Sequence, residues 1–547
     1  MTVGFNKDAT DTGNLAGYLY RQACGNPDKP AFLHPVPVTF AGLDRKVDQL
    51  CHGLAKAGVV KGTRTIMLVN ANLDFYILTF ALLRLGAIPV LIDPGVGRKV
   101  MKDSLAGVEA SVFIGSPLAQ LFRLLYRKAF RNIKLVITVG PRLFRIGQRY
   151  NSLFLPGNEP FVPATVGLDD IGGIFFSSGS TGAPKGVIYR NRMFHAQMNY
   201  FQTHYHWNAE ETDLCTFPLI GLFSVCLGLS VVIADINPAK PSSLNPRVIW
   251  SNLERFQCTH MFGSPMILRK LSEYGHRTGK RLTCLNRIVT AGAPVTRALL
   301  EQMRKLLPDL AEIHAPYGAT EALPVTDVTL SELLTIPLTA GFNHGICQGK
   351  PLPGMNLVII RITESSLAGM DRAGILPLGT VGEIVVCGPV VTESYLNNYE
   401  ADKKAKISDS QGAVWHRMGD LGSLDQEGRL WFCGRKSQRV EIKGGCLYTI
   451  PTEAIFNRVP GVIRSALVGI PGDPSGFEKP VICAQLAPAD FWLKRKAFRR
   501  KLAELAEADP ATSVIQTFLF RRSFPVDPRH NAKIFREKLR KWAMKKV

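Results

Sequence analysis

A run of small hydroxyl and glycine residues that ends in a lysine is the segment of this chain best suited to chemistry on phosphate. It follows an apolar stretch, Ile171–Phe176, and closes with Ala-Pro-Lys185-Gly186. Glycines let the backbone approach phosphate oxygens, while N–H groups, hydroxyls and lysine supply hydrogen bonds and charge. The spacing is not that of a Walker A loop. The candidate residues are Ser177, Ser178, Gly179, Ser180, Thr181, Gly182 and Lys185. A flexible linker is the alternative, but linkers do not normally follow an apolar strand and end in Pro-Lys-Gly.

Three further groups follow at long intervals, and each has an ordinary structural explanation when it stands alone. They are Tyr317–Glu321, the pair Asp420 and Arg435, and Lys533. Glu321 could bind magnesium beside a ring-stacking tyrosine, and Asp420 with Arg435 could bind ribose hydroxyls and phosphate. Alone, they would be a surface glutamate, a strand with turns, and one more lysine in a basic tail.

Elements that would position these residues can be recognised from hydrophobic periodicity. Strand-like runs alternate with helical patterns up to about residue 360, which predicts βαβ units and mainly parallel sheets. The runs include Thr65–Val69, Ile88–Ile92, Leu135–Val139, Ile171–Phe176, Thr259–Phe262 and Arg287–Thr290. From about 356 to 433, short strands separated by Gly, Pro and Asp turns predict a β-rich subdomain. The chain becomes polar and basic after Gly434-Arg435, which indicates a domain boundary.

Composition excludes several classes of protein. The 547 residues are 46 % hydrophobic, which excludes disordered and collagen-like chains. Eleven cysteines without a CxxC pair, and no signal-peptide pattern, predict a cytoplasmic protein with reduced thiols. Two apolar stretches, Phe75–Leu91 and Leu219–Ile236, have about the length needed to span a bilayer. We interpret both as buried helix–strand pairs of an α/β sheet.

The net charge of +22 is unevenly distributed. Residues 493–547 contain sixteen Lys and Arg but only five Asp and Glu. Residues 119–150 contain eight Lys and Arg and no Asp or Glu. In the second zone apolar and basic residues alternate at roughly helical spacing, as in helices that lie on anionic lipid. A solvated face of a basic protein is the alternative. No nucleic-acid-binding module accompanies the charge, so we expect no nucleic-acid partner. A peripheral contact with the inner membrane surface stays an open expectation.

The order and spacing of the four groups resemble those of the adenylate-forming superfamily of acyl-CoA synthetases, peptide-synthetase adenylation domains and luciferases. The resemblance extends from about residue 14 to 542. It implies an α/β fold whose N-terminal domain, residues 1–434, contains two flavodoxin-like sheets and a β-barrel subdomain at about 356–433. It also implies a small, mobile α+β domain at 435–547. The cofactors would be ATP and Mg²⁺, and the activity would convert a carboxylic acid into an acyl-AMP.

The resemblance also assigns roles position by position. The loop would hold the triphosphate, Gly292–Pro294 would line the adenine pocket, Tyr317 would stack on adenine, and Asp420 and Arg435 would bind ribose. The nucleotide-binding set is Ser177, Ser178, Gly179, Ser180, Thr181, Gly182, Lys185, Gly292, Ala293, Pro294, Tyr317, Gly318, Thr320, Asp420 and Arg435. The catalytic set is Thr181, Lys185, Glu321 and Lys533, in which Thr181 and Glu321 would bind magnesium and Lys533 would reach the reacting carboxylate.

Four positions depart from the pattern common in the superfamily. Ser437 stands at the hinge, where Asp or Lys is usual, and Glu441 stands where many relatives have a lysine. Gly221 occupies a position often held by His, and Ala532 replaces the glycine that normally precedes the C-terminal lysine. The resemblance implies that these positions reorganise for the second half-reaction and admit a thiol, so the sequence supports adenylation more strongly than thioester formation.

More specific strings resemble olefin β-lactone synthetases. They are Leu91–Arg98, Tyr317–Val325, Leu430–Ser437 and Asp527–Phe535. Those enzymes adenylate a long-chain β-hydroxy acid, whose own hydroxyl then displaces AMP and closes a lactone. The resemblance implies such an acid as substrate, and an olefin-pathway thiolase, reductase and β-lactone decarboxylase as partners.

Two alternatives remain at this stage. A long-chain fatty-acyl-CoA ligase would need CoA as well as ATP. A basic membrane-surface or nucleic-acid-binding protein without catalysis is disfavoured by the intact candidate site residues. No base for the hydroxyl stands out among His195, His344 and His416, since histidines near such motifs are more often structural.

Overall fold

A computed structural model of the chain describes residues 13–141, 146–157, 159–177, 184–236, 243–337, 345–472, 476–491, 494–526 and 534–547. Two seven-stranded α/β sheets, antiparallel sheets and a separate C-terminal unit follow one another along the chain. The predicted α/β class with a large N-terminal part and a smaller C-terminal part is confirmed.

The first large sheet carries the candidate phosphate loop. Across the sheet its strands are Gln148–Arg149, Leu135–Thr138, Val112–Gly115, Arg64–Leu68, Ile88–Leu91, Ile171–Phe176 and Gly186–Arg190. All neighbours are parallel except the last pair, which is antiparallel. The loop therefore connects the two strands of a hairpin at one edge of the sheet.

The second large sheet has the same construction. Across it the strands are Glu312–His314, Arg287–Val289, His260–Phe262, Thr212–Cys215, Ser230–Ile233, Pro30–His34 and Val38–Thr39. Again only the last pair is antiparallel. Because helices cover both faces, most strand residues of this sheet are buried, as in other parallel sheets, and the buried set includes the polar residues Asp213, His260 and His314.

Helices fill the space between the two sheets and cover their outer faces. One hydrophobic core contains residues of both sheets and of the helices Leu15–Gly25, Phe40–Lys56, Leu73–Arg84, Asn191–Thr203 and Pro218–Cys226. The outer face of the first sheet packs on Arg98–Ala106 and Pro117–Leu125. The outer face of the second packs on Pro246–Arg255, Pro265–Thr278, Arg297–Arg304 and Leu330–Thr335. Short 3₁₀ turns occur at Pro94–Val96, Arg127–Phe130, Tyr150–Leu153, Met370–Arg372 and Lys436–Gln438.

Both long apolar stretches are buried helix–strand pairs, as predicted. The first forms the helix Leu73–Arg84 and the strand Ile88–Leu91, and the second forms Pro218–Cys226 and Ser230–Ile233. Helices that are apolar all round belong inside a core, which is where these two lie. In the described part of the chain, no helix combines the length and apolar character needed to cross a membrane. All eleven cysteines fall in described ranges, and each is a free thiol.

The β-rich part consists of two antiparallel sheets. The larger contains Ile346–Cys347, Leu430–Arg435, Val414–Leu424, Gly382–Cys387 and Asn356–Ile360, with Lys406–Ser408 beside Val414–Leu424 and the helix Tyr399–Ala405 before it. The smaller contains Tyr317–Ala319, Ala322–Asp327 and Lys350–Pro351. Both contribute residues to the core that joins the two large sheets. Among the described strands, Ile346–Cys347 and Asn356–Ile360 end the order of the larger sheet and do not pair with each other.

The C-terminal residues build a unit with its own hydrophobic clusters. Its strands are Val440–Ile442, Gly445–Leu447, Val462–Pro471, Glu478–Leu486 and Thr517–Arg521. Its helices are Thr449–Phe456, Pro488–Phe491, Arg495–Glu507 and Arg536–Ala543. The two clusters on the faces of its three-stranded sheet contain only residues from Val440 onwards.

Candidate active site

The structure brings Tyr317, Asp420 and Arg435 into direct contact. Asp420 and Arg435 are opposite each other in antiparallel strands, and Arg435 Nη1 lies 3.0 Å from Asp420 Oδ1. The Tyr317 hydroxyl donates to Asp420 Oδ2 at 2.8 Å, although the two residues are 103 positions apart. Burial and the Asp420 charge raise the pKa of Tyr317, so the phenol remains a donor at neutral pH. Each carboxylate oxygen has a second lone pair, so Asp420 can still accept bonds from two neighbouring hydroxyls.

Lys185 and Glu321 both contact Tyr395, a residue that the sequence analysis did not single out. The Tyr395 hydroxyl donates to Glu321 Oε1 at 2.8 Å, and Lys185 Nζ lies 4.7 Å from the centre of its ring. Burial and the Glu321 carboxylate raise the pKa of Tyr395, so it also stays protonated. The ring therefore fixes the separation between one carboxylate and one amine.

The two ends of the candidate phosphate loop are joined by hydrogen bonds. Ser177 N donates to Lys185 O at 3.0 Å, and Lys185 N donates to Ser177 Oγ at 3.3 Å. From the following strand, the Tyr189 hydroxyl donates to Thr320 O at 2.6 Å. This bond connects the hairpin that carries the loop to the segment that carries Glu321.

Several predicted site residues lie outside the described residues, so the structure does not place them. They are Ser178, Gly179, Ser180, Thr181, Gly182, Lys533 and the candidate base His344.

The segment Gly292–Pro294 lies beside the start of the Tyr317 segment. It follows the strand Arg287–Val289, whose neighbour in the sheet is Glu312–His314. Both connections therefore leave the same edge of the sheet, where the carboxyl ends of parallel strands commonly form ligand sites. At Gly318 the chain returns so closely that an added Cβ would lie 2.6 Å from Ala322 O, which explains the glycine.

Two more residues that sequence reasoning missed lie behind Glu321. Thr392 donates to Glu321 O through its backbone N at 2.9 Å and its hydroxyl at 3.0 Å. Lys406 Nζ in turn donates to the carbonyl oxygen of Thr392, and to its hydroxyl at 3.2 Å. Desolvation lowers the pKa of Lys406 to about 7, against the attraction of Glu321. In the sequence, Lys406 resembles the neighbouring exposed lysines, so no local signal could have found it.

The two candidate histidines that the structure describes have structural roles. His195 is held at both ring nitrogens, by the Tyr18 hydroxyl at 2.8 Å and Gly13 O at 3.0 Å. His416 is buried, with Nδ1 3.2 Å from Ala405 O, and burial holds its pKa well below the usual range. Both imidazoles are therefore held by contacts within the fold.

The structure places three of the four positions that depart from the superfamily pattern. An added Cβ at Gly221 would lie 2.5 Å from the Tyr76 hydroxyl oxygen and 2.7 Å from Cys215 Sγ, so no larger side chain fits. Ser437 lies in the short turn Lys436–Gln438. Glu441 accepts a bond from Arg439 Nη2 at 2.6 Å. Ala532 lies outside the described residues.

The donor set fits a nucleotide with magnesium. Glu321 is a half-buried carboxylate oriented by a phenol, and carboxylates are the ligands Mg²⁺ prefers in protein sites. Lys185, at the end of a glycine-rich hairpin loop, supplies charge suited to phosphate. Asp420 and Arg435 form a third group with a carboxylate and a guanidinium side by side.

Comparison with known protein families identifies the class of enzyme. Residues 19–396 match the family described as AMP-binding enzyme. The chain belongs to this family of AMP-forming, adenylate-forming enzymes, as the resemblance of its motifs predicted.

Within the family, the chain is similar along its whole length to olefin β-lactone synthetases. It is 40 % identical to that of Stenotrophomonas maltophilia (strain K279a) over 549 residues, which cover 97 % of this chain and 98 % of the relative. It is 39 % identical to that of Xanthomonas campestris pv. campestris over 558 residues, covering 99 % of each. A 4-chlorobenzoate–CoA ligase of Arthrobacter is 27 % identical over 79 % of this chain and 78 % of the relative.

Solved structures share the fold. The amide bond synthetase McbA of Marinactinospora thermotolerans superposes with a TM-score of 0.80 at 23 % identity, over 97 % of this chain and 99 % of its own. The anthranilate CoA ligase AuaEII in complex with anthranoyl-AMP superposes with a TM-score of 0.79 at 20 % identity, over 97 % of this chain and 98 % of its own. Identities this low establish the architecture alone.

Proposed function

We propose that this protein is an olefin β-lactone synthetase that adenylates a long-chain β-hydroxy acid and closes it to a β-lactone. The observation that carries the proposal is the 39–40 % identity to two olefin β-lactone synthetases over almost the whole of each chain. The CoA ligase of Arthrobacter is less similar, at 27 %, and covers less of the chain. The site geometry supports the adenylation step that both kinds of enzyme share.

The reaction has two steps. In the first, a carboxylate oxygen attacks the α-phosphorus of ATP, and the bond to the bridging oxygen of pyrophosphate breaks. In the second, the β-hydroxyl oxygen attacks the acyl carbon, the bond to the AMP oxygen breaks, and a four-membered lactone forms. The phosphate of the departing AMP can take the hydroxyl proton, so closure needs no side-chain base; His195 and His416 are held in structural contacts, and His344 lies outside the described residues.

The first step requires charge neutralisation and alignment of the reactants. Magnesium, when bound by Glu321 and Thr181, supplies positive charge to the phosphate oxygens. Lys185 neutralises the triphosphate in the loop, and Lys533 neutralises charge between the carboxylate and the α-phosphate.

The remaining contacts orient the nucleotide. Asp420 and Arg435 hold the ribose, Tyr317 stacks on adenine, and Gly292–Pro294 line the adenine pocket. The C-terminal domain, residues 435–547, is the mobile part that brings Lys533 to the site.

The second step gains from being intramolecular. Holding the hydroxyl against the acyl carbon can contribute ~7–11 kcal/mol to lowering the barrier. This step requires no thiol to enter the active site. That agrees with the close packing of Gly221 against the Tyr76 hydroxyl and with the altered hinge residues Ser437 and Glu441. In such a pathway a thiolase and a reductase supply the hydroxy acid, and a β-lactone decarboxylase consumes the lactone.

A matched pair of acids tests the proposal. We compare a long-chain β-hydroxy acid with the same acid lacking the hydroxyl, in the absence of CoA. Both should support pyrophosphate exchange into ATP, because both carry the carboxylate. Only the hydroxy acid should give many turnovers of AMP release. A requirement for CoA in turnover of the hydroxy acid would favour the alternative, a long-chain fatty-acyl-CoA ligase.

Removing the Tyr395 hydroxyl should weaken the use of magnesium. In Tyr395→Phe the Glu321 carboxylate loses its 2.8 Å donor and its fixed orientation. Loss of such an outer partner typically costs ~10–100-fold in metal affinity. We therefore expect the Mg²⁺ concentration that gives half-maximal adenylation to rise by that factor. Tyr399→Phe, at a tyrosine that is 75 % exposed, is the control and should leave it unchanged. Equal Mg²⁺ dependence of both variants would show that the Tyr395 hydroxyl does not orient a magnesium ligand.

The helix Pro117–Leu125 is the surface we propose for contact with anionic lipid. Leu118, Leu121 and Leu125 are 70 %, 44 % and 64 % exposed along it, and the basic residues Arg127 and Lys128 follow, also exposed. Apolar side chains inserted at a lipid interface with basic residues around them are typical of peripheral membrane helices.

Exchanging the three exposed leucines for serine should weaken vesicle binding by at least ~10-fold, since each leucine buried from water contributes on the order of 1.5 kcal/mol or more. Sedimentation with anionic vesicles at low salt measures the binding of each variant. Leu310→Ser, at a leucine 98 % exposed elsewhere, is the control. Absence of binding by the unmodified protein would remove this contact.

A further inference from the structure

Three metal-binding side chains from three separate elements meet away from the Glu321 site. His204 directly follows the helix Asn191–Thr203, His314 ends the strand Glu312–His314, and Asp327 ends the strand Ala322–Asp327. Asp327 Oδ2 is 2.9 Å from His204 Nε2 and 2.7 Å from His314 Nδ1. One ligand atom from each residue falls within 4.8 Å of the other two.

Two buried oxygen atoms at this cluster have no hydrogen bond to the residues that the structure describes. Asp327 has only 3 % of its side chain exposed, and its second oxygen, Oδ1, makes no hydrogen bond within the described ranges. The same holds for the hydroxyl of Tyr205, whose ring lies 4.9 Å from that of His204 and 5.1 Å from that of His314. Unsatisfied buried oxygens are costly, and a bound cation is one way to satisfy them.

We propose that His204, His314 and Asp327 bind one divalent transition-metal ion, for which Zn²⁺ has the best-matched ligand preference. Two imidazoles and a carboxylate are a donor set that suits zinc, with a water as fourth ligand. The His204 side chain is 32 % exposed, so ion and water can enter on that side.

The remaining geometry agrees with this assignment. His314 Nε2 lies 3.6 Å from Glu312 Oε2, and a carboxylate on the outer nitrogen of a metal-bound histidine is a common arrangement. Ligand atoms around tetrahedral zinc are about 3.3 Å apart, as follows from bonds of about 2.0–2.1 Å. The observed separations, 2.9 and 2.7 Å, are shorter because hydrogen bonds join the same atoms, so an ion would require the three side chains to move apart by about half an ångström.

The position of the cluster indicates a structural role. Tyr317 pairs with Thr326, the residue before Asp327, in an antiparallel hairpin. Glu321 lies in the turn that connects the two strands of this hairpin. An ion at Asp327 would tie this hairpin to the edge of the second large sheet through His314 and to the helix through His204. It would hold the hairpin in place and would not take part in the reaction.

Metal binding to the full-length, chelator-treated protein tests the proposal. Zn²⁺ titration against a chromophoric chelator should show one tight equivalent, and Co²⁺ should give the visible absorption of a four-coordinate site. His204→Gln should lose both signals. Glu312→Gln should weaken binding by ~10–100-fold, as for other outer partners. Far-UV circular dichroism confirms that the variants fold.

His34→Gln is the matched control, because His34 forms a separate histidine–aspartate pair at 3.0 Å, with Asp235 on the surface. It should retain the equivalent of Zn²⁺. The proposal is overturned if the unmodified protein takes up no Zn²⁺, which would make the cluster a hydrogen-bonded triad only. It is equally overturned if His204→Gln binds as tightly as His34→Gln.

Discussion

Replacement of Lys533 by alanine is expected to slow acyl-AMP formation by ~10²–10³-fold, the usual effect of removing one donor that acts in the transition state. The loop that carries Lys533 has anchored ends, since Val526 pairs with Ile534 in an antiparallel bridge. Two residues later, Arg536 Nη2 donates to Glu453 Oε2 at 3.0 Å in the interior of the C-terminal unit. The described residues on either side of Lys533 are therefore held in the C-terminal unit, and removal of the lysine should cost rate without unfolding the domain.

Two comparisons make the Lys533 result specific. Lys538→Ala, on the following helix with its amine over the Phe535 ring, removes a neighbouring exposed charge and should retain the normal rate. Conversion of synthetic acyl-AMP to lactone should be much less affected in Lys533→Ala than adenylation is. If Lys533→Ala and Lys538→Ala adenylate the acid equally well, Lys533 is not the residue at the α-phosphate.

The largest loss of stability is expected from Glu383→Gln. Glu383 is 1 % exposed and binds Arg417 Nη2 at 2.6 Å, and its Oε1 lies 3.2 Å from Lys436 Nζ at the start of the hinge. Removing its charge leaves two cations without their buried partner, and breaking such a pair typically costs ~3–5 kcal/mol. We expect the free energy of unfolding of the N-terminal domain to fall by that amount in urea.

Glu364→Gln is the control for this prediction. Glu364 contacts the same hinge, with Oε1 3.0 Å from Arg439 Nη1, but its side chain is 71 % exposed. Exposed ion pairs contribute ~0–1 kcal/mol, so this variant should be close to the unmodified protein. Equal destabilisation by the two substitutions would show that the buried ion pair is not the stabilising contact.

The elements of the fold were predictable where the hydrophobic pattern is local. The strand Ile171–Phe176 has the predicted bounds, and Arg64–Leu68 and Leu135–Thr138 differ from prediction by one residue. Strand order was not predictable, because it depends on long-range packing. Pro30–His34, from the start of the chain, pairs with Ser230–Ile233 deep in the second sheet.

The candidate site was predictable to the extent that its motifs are contiguous. Asp420 and Arg435 were expected to act together, and their strands place them side by side. Tyr395 and Lys406 were missed because each looks ordinary in its own segment. Only the fold brings them to Glu321, 74 positions away in the case of Tyr395. The cluster of His204, His314 and Asp327 was missed for the same reason.

The mass of the product is the most direct test of lactone closure without CoA. Purified protein is incubated with ATP, Mg²⁺ and a long-chain β-hydroxy acid, with and without CoA, and the products are analysed by mass spectrometry. We predict a product lighter than the acid by one water, formed together with AMP and in equal yield in both reactions. An acyl-CoA that forms only when CoA is present would contradict this prediction and identify a thioester-forming ligase.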